Sequence, residues 1–447
     1  MPRTFLTAIL ALAIGAAAGA GAMWKWTSAQ SADTARMQRR TALLTEENER
    51  LRLVVDRSEK TRNDTASKVQ RQAVEQATIA IRGLELKEPV DYQVLTRKEI
   101  KGVLSGKMSE VFSEQEFHNV AASLAALGLL EPEYPLRAKY IDLLGEQIAA
   151  FYDQHAHKLF MYEDASLDNA QNRVVLAHEL THALQDQHFG LKKLPLESKT
   201  NDDRAVAASA LVEGDATLVM SEYTMKNMTR QMVKDTLLAT FGQDSKQLAA
   251  APRYLREMLV FPYLRGQEFC TALAARGGYD AIDSAYARPP SSTAQILHPE
   301  KYTSDPREEP IDVVFADTAV NGQPAIADNV LGEFGTRLQV AEWTDDATGE
   351  KAGAGWRGDR YLCFDGGRAL VWKSVWADER EAGEFFDAER QVLERRYRPT
   401  GVEADERRFQ ATAPRHLQLT RPRPNEVLLI DAATAEWAKT LSDQFSQ

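Results

Sequence analysis

Apolar residues return every three or four positions from Val174 to Leu184, with Leu176, Leu180, Ala183 and Leu184 on one side of a helical wheel. That pattern predicts a helix anchored to a core by this side. A second helical run, Asp202 to Met220, sets Val206, Ser209, Glu213, Thr217 and Met220 along one stripe. Upstream, Ile148 to Asp153 and Lys158 to Glu163 are aromatic-rich runs parted by the polar Gln154-His155-Ala156-His157, a hairpin signal. Further helices are predicted over Ser113 to Leu129, Arg137 to Leu144, Arg230 to Leu238 and Gly266 to Ala275. Beyond Pro306, the runs Asp312 to Phe315, Leu338 to Trp343, Arg360 to Phe364 and Ala369 to Trp376 read as strands, and Glu379 to Arg395 reads as a helix. Gly355-Trp356 and Gly366-Gly367 are turn signals. The pattern predicts an α+β protein, with a core over residues 84–305 and an α+β C-terminal lobe over 306–447.

The start of the chain follows a different pattern. Phe5 to Trp24 is apolar and free of charge, long enough to cross a bilayer, and Trp24-Lys25-Trp26 would form an interfacial belt. Ala16 to Ala22 also offers sites of the kind signal peptidase cuts, so residues 1–30 predict either a transmembrane anchor or a cleaved signal. Lys25, Arg36, Arg39 and Arg40 outnumber Arg3, which leaves the orientation open. Residues 31–83 are mostly polar, with Met37, Leu44 and Leu51 seven apart; they predict a helical stalk, either a short coiled coil or a single solvated helix. Such a stalk offers a route to weak self-association.

With 447 residues, 44% of them hydrophobic, the chain has ample material for a sizeable core. A net charge of −11 argues against nucleic acid as a partner, because a phosphate-binding surface needs excess Lys and Arg. The two cysteines, Cys270 and Cys363, lie in no motif and fit either one disulfide or two buried thiols.

The chemistry concentrates in His178-Glu179-Leu180-Thr181-His182. Two histidines four apart on a helix project from one face, so both imidazoles can meet one metal ion, and zinc is the expected one. Glu179 lies about 100° round the helix from His178, within reach of a metal-bound water as a general base. Catalytic zinc needs a third protein ligand. Glu213 fits best, with Asp215 as an alternative. His188 has the metzincin spacing, but that pattern requires a glycine where this chain has Gln185, so the helix is expected to continue and turn His188 away. Asp186, one turn beyond His182, is either a partner that orients that ligand or a solvated helix residue. His155 and His157 read as ordinary loop histidines.

This arrangement resembles the gluzincin metallopeptidases, in which HExxH supplies two ligands and a glutamate on a later helix supplies the third. Glu213-Gly214-Asp215-Ala216 is similar to the Glu-Gly-x-Ala element of the peptidase-MA-like branch. The longer string His178-Glu179-Leu180-Thr181-His182-Ala183-Leu184-Gln185-Asp186-Gln187 resembles prokaryotic envelope proteins, as do the segments Pro289 to Tyr302 and Gly355 to Tyr361. Where thermolysin-type enzymes carry an aspartate four residues after the glutamate ligand, this chain has Thr217. The resemblance implies a gluzincin-like domain hydrolysing peptide bonds of a peptide or protein substrate, with the hairpin as substrate rim. It further implies a downstream tyrosine or histidine that steadies the oxyanion, and His298 leads over Tyr302, Arg360 and Tyr361. The implied location is the cell envelope, membrane-anchored and facing the periplasm or exterior, or secreted after signal cleavage. Two other readings share the scaffold: a non-catalytic binding protein and an amidase of cell-wall peptides.

Overall fold

The computed structural model describes residues 45, 49, 50, 52, 67–147, 150–163, 165–227 and 246–446. The chain divides into the units Met1–Gln70 and Arg71–Gln447. In the first unit every described residue is helical. The apolar run Phe5 to Trp24 lies outside the described residues, and among those described no helix is long and apolar enough to cross a membrane. The expected membrane-anchored placement at the envelope therefore has no helix to support it, and it is withdrawn. The helix predicted over Arg230 to Leu238 also lies outside the described residues.

The second unit mixes helices and strands and is α+β. A three-stranded sheet has the order β1-β3-β2, with β1 (Asp91–Leu95) parallel to β3 (Lys158–Tyr162) and β2 (Ala150–Asp153) antiparallel at one edge. The expected hairpin is thus present as β2 and β3. Below it run two helices, the motif helix Ala170–Phe189 and the carboxylate helix Asp202–Asn227. Asn169 starts the motif helix by accepting a hydrogen bond from Gln171 N, and Gly190 ends it at φ 72°, with its N–H donating to Asp186 O. Leu176, Leu180, Ala183 and Leu184 are fully buried, as their spacing required.

A long helical span, Arg253–Ala287, broken by a kink at Gly277 and Gly278, crosses the carboxylate helix at a pair of glycines. A Cβ on Gly214 would overlap the backbone of Gly266, and a Cβ on Gly266 would overlap the carbonyl of Ala210. Only glycine at both positions lets the two backbones approach this closely.

After a two-stranded ribbon of β4 (Ala319–Val320) and β5 (Gln323–Pro324), the C-terminal part is built on a seven-stranded antiparallel sheet. Its centre consists of β7 (Trp356–Phe364), β8 (Ala369–Trp376) and β12 (Glu426–Ala432). The sheet also takes in β6 (Ala327–Asn329), β9 (Glu403–Ala404), β10 (Arg408–Ala411) and β11 (His416–Thr420), in the order β6-β7-β8-β12-β11-β10-β9. Side chains alternate across the pleat. Leu370, Trp372, Trp376, Val427 and Leu429 join one core with Phe385 and Phe386 of the helix Glu379–Tyr397. Ala369, Val371, Leu428 and Ile430 join another with Leu441 and Phe445 of the last helix, Ala435–Phe445.

Two predicted strands are corrected. Leu338 to Trp343 belongs to the helix Gly332–Trp343. The alternation of Leu338 and Val340 is a short-window coincidence, whereas over the longer window Leu331, Gly335, Leu338 and Ala341 recur at helical spacing and face inward. Asp312 to Phe315 forms no strand. It shows period-two burial, with Val313 and Phe315 buried and Val314 exposed, but Ile311 N to Arg357 O is the backbone bond made beside it and no ladder develops.

Candidate metal centre

His178, His182 and Glu213 converge. His178 Nε2 lies 3.1 Å from His182 Nε2 and 3.1 Å from Glu213 Oε2, and His182 Nε2 lies 3.4 Å from the same oxygen. Three donor atoms so spaced make one face of a tetrahedron, since ligands bound to zinc at about 2.0–2.1 Å stand roughly 3.3 Å apart. The donor set of two imidazoles and one carboxylate suits that ion. The His178 and His182 side chains are 9% and 11% exposed and that of Glu213 is 21%, so the cluster opens to solvent on the glutamate side.

Glu213 and the two imidazoles shift one another's titration. Burial pushes the Glu213 carboxyl up, but the two imidazoles outweigh it and hold the group well below the usual carboxylate range. Burial lowers His182, yet Glu213 overcomes this and raises the imidazole to about 9.

Glu179 is buried beside the cluster and Tyr152 N, on β2, donates to its Oε2 at 2.7 Å. Burial raises its pKa, partly offset by His178 and His182. The motif helix runs through Gln185 to Phe189, and His188 turns away, its Nε2 bonding Glu85 O at 2.8 Å. Asp186 does not orient His182. It accepts from Tyr152 Oη at 2.9 Å, from His157 Nδ1 at 2.8 Å and from Leu191 N at 3.0 Å, tying the hairpin to the helix. His155 pairs with Glu197 at 3.1 Å. Thr217 Oγ1 and His178 Nδ1 are both buried without a hydrogen-bond partner among the described residues.

His298 is not part of this group. Its Nε2 is held 2.8 Å from Glu333 Oε1 and its ring also meets Arg337, so it serves a buried ion network at the start of the C-terminal part. Tyr302 Oη donates to Arg288 O, Arg360 pairs with Asp328, and Tyr361 is buried in a hydrophobic core. The tyrosine at the cluster is instead Tyr263, which sequence reasoning missed. Its ring stacks on His178 at 5.9 Å and its phenol lies near the Glu213 carboxylate. The negative charge of Glu213 raises the phenol above its ordinary value, although the residue is 40% exposed, and a phenol is a hydrogen-bond donor at neutral pH in any case. Gly266, one turn on, and Gly214, next to Glu213, create the close helix approach that brings Tyr263 there. The pairing of those two glycines was the available signal.

Cys270 and Cys363 are both buried free thiols.

The chain matches the model of a domain of unknown function, DUF8575, over residues 320–442. That span contains all seven strands of the large sheet and excludes His178, Glu179, His182, Glu213 and Tyr263. No curated protein matches the chain. Among solved structures it is similar to a protein from Chloroflexus aurantiacus described as "a putative hydrolase with a novel fold". The identity is 19%, covering 53% of this chain and 87% of that one, with a TM-score of 0.32. A likeness at that level carries no argument about fold or activity.

Proposed function

We propose that this chain is a zinc-dependent hydrolase of peptide bonds, gluzincin-like in its metal-binding helices. In this reading His178, His182 and Glu213 hold the ion and Glu179 is the general base. The observation that carries it is the convergence of three donor atoms from two helices at 3.1–3.4 Å, beside a buried fourth group, Glu179, that is not a member of the set. Zinc held there would activate a water molecule and polarise the substrate carbonyl.

The residues of the chain divide the remaining work. Tyr152 N fixes one oxygen of Glu179, and the raised pKa of this carboxyl suits a group that takes a proton from water and returns it to the leaving amine. A site that used zinc only as a structural brace would have no need of such a base. Tyr263, whose ring stacks on His178, is the phenol at the cluster that would steady negative charge developing on the carbonyl oxygen. β2 is a sheet edge able to pair with an extended peptide through the backbone groups other than Tyr152 N, which Glu179 takes; the cleft of about 490 Å³ beside it is lined by Lys107, Glu110, Phe151, Tyr152, Glu197 and Lys199 and by none of the five cluster residues.

The test compares wild type and Glu179→Gln for bound zinc and for cleavage of an unbiased peptide library. Zinc in both with cleavage only in wild type is the expected result. Stoichiometric zinc with no cleavage in either would overturn the catalytic reading.

A further inference from the structure

Gln185 occupies the position where the metzincin pattern calls for glycine, and it is completely buried with both ends of its amide engaged. We infer that Gln185, held in place by Asp215 and Arg82, is a positioning residue that fixes which nitrogen of His182 faces the metal. The inference rests on the zinc reading above and deepens it.

The hydrogen bonds leave one arrangement. Gln185 Nε2 lies 3.0 Å from Val212 O and 3.0 Å from Asp215 Oδ2, and both of these are acceptors. A flipped amide would set its carbonyl against them, so the NH2 group must point that way. Gln185 Oε1 is then aimed at His182 Nδ1, 2.9 Å away, and that nitrogen must be the donor. Nε2 is left as the nitrogen that faces His178 Nε2 and Glu213 Oε2, the point where an ion would be held.

Asp215 cannot swing away from this duty. Its carboxylate receives Tyr286 Oη at 2.9 Å and pairs with Arg82 Nε at 2.9 Å, and Arg82 also bonds Asp283. The guanidinium is itself packed over the Tyr279 ring at 4.8 Å. Arg82, Asp215 and Gln185 are each essentially inaccessible to solvent, so water does not compete for these bonds. The line from His182 to Arg82 joins the motif helix to the carboxylate helix and then to the helical residues 71–82, and Tyr286 and Asp283 bring in the long helix. An imidazole oriented in this way has less freedom to lose on binding an ion and is a better ligand. His178, whose Nδ1 has no partner among the described residues, has no such brace.

The test titrates the full chain, stripped with chelator, with zinc against a competing chromogenic chelator. Gln185→Met keeps the side-chain length without its polar atoms, and should weaken zinc binding roughly 10–100-fold. Asp283→Asn, at the far end of the line, should change affinity much less. A folded Gln185→Met protein with wild-type zinc affinity overturns the inference, even if it melts at a lower temperature, because a purely structural glutamine would affect melting alone. Should the methionine variant fail to fold, zinc-loaded wild type with 15N-labelled histidine decides the matter. Slower solvent exchange of the His182 Nδ1 proton than of the His178 Nδ1 proton supports the inference, and equal exchange overturns it. Zinc binding without hydrolysis would defeat the peptidase reading and leave this one standing.

Discussion

Two acid-rich clusters are buried in the unit Arg71–Gln447, and they differ in what their oxygens face. In the C-terminal cluster Asp359 accepts from Leu331 N, Gly332 N, Trp356 Nε1 and Trp372 Nε1 at 2.9–3.0 Å, which fills its acceptor positions. Asp203 nearby accepts from Thr293 N at 3.0 Å and from the Thr293 hydroxyl, against Gly332, where any Cβ would overlap its carboxyl. These acids lock a loop, a helix start and a sheet together. At His178, His182 and Glu213 the partners are themselves electron-pair donors that turn inward on one point. Burial of a carboxylate is common to both clusters, so burial does not mark function. What sets the second cluster apart is a set of electron-pair donors that face one another.

That contrast can be broken by substitution. Glu213→Ala should have the largest effect, weakening zinc binding by more than the roughly 10–100-fold typical of losing a group that only supports a ligand. Hydrolysis should be lost with the ion. Asp359→Asn should leave zinc titrations unchanged and instead lower the melting temperature, since its amide would turn a donor towards groups that already donate. If Asp359→Asn impaired zinc binding as strongly as Glu213→Ala, the two clusters would not be separate in function. Next in size, Glu179→Gln should lower kcat by about 10²–10⁴ with zinc retained, read from turnover of a cleaved library peptide together with metal analysis. Tyr263→Phe should lower kcat by about 10²–10³ at nearly unchanged zinc affinity, while His298→Ala should leave kcat alone and cost stability. A kcat that followed His298 instead would return the oxyanion role to that residue.

The smallest expected effect is a pH dependence confined to the C-terminal cluster. Burial, opposed by the Thr293 bonds, pushes Asp203 up from 3.8 to about 7. A carboxyl raised on folding holds its proton more tightly in the native state. Its contribution to stability is complete below the unfolded value and is lost as pH rises through the folded one. Melting temperature should therefore fall between about pH 4 and 7 in wild type, and the fall should be shallower in Asp203→Asn. Parallel curves for the two proteins would count against this assignment.

The parts of this molecule legible in the sequence are those where one local period decides. The motif helix, the hairpin, the second half of β7, β8 and the helix Glu379–Tyr397 emerged from apolar spacing over a single window, whereas the first half of β7, from Trp356, did not. So did the candidate ligands, because i and i+4 histidines on a helix need no tertiary information, and the carboxylate helix supplied a glutamate on its own stripe. Leu338 to Trp343 failed because too short a window let Leu338 and Val340 imitate a strand. Tyr263 was hidden for another reason. It lies 50 positions after Glu213 on a different helix, and reaches the cluster only through the Gly214–Gly266 crossing, which no single helix pattern encodes. Gln185 was visible only as a departure from a pattern, and its role depends on Asp215 and Arg82, which burial brings to it from two other helices.

Zinc-edge X-ray absorption on the zinc-loaded full chain tests the central claim most directly. The account predicts a first coordination sphere with two imidazole nitrogens and a carboxylate oxygen at about 2.0–2.2 Å, and loss of the imidazole signature in a His178→Ala, His182→Ala protein. A chain that retains no zinc, or one whose ion shows sulfur at about 2.3 Å in place of the imidazoles, would contradict it.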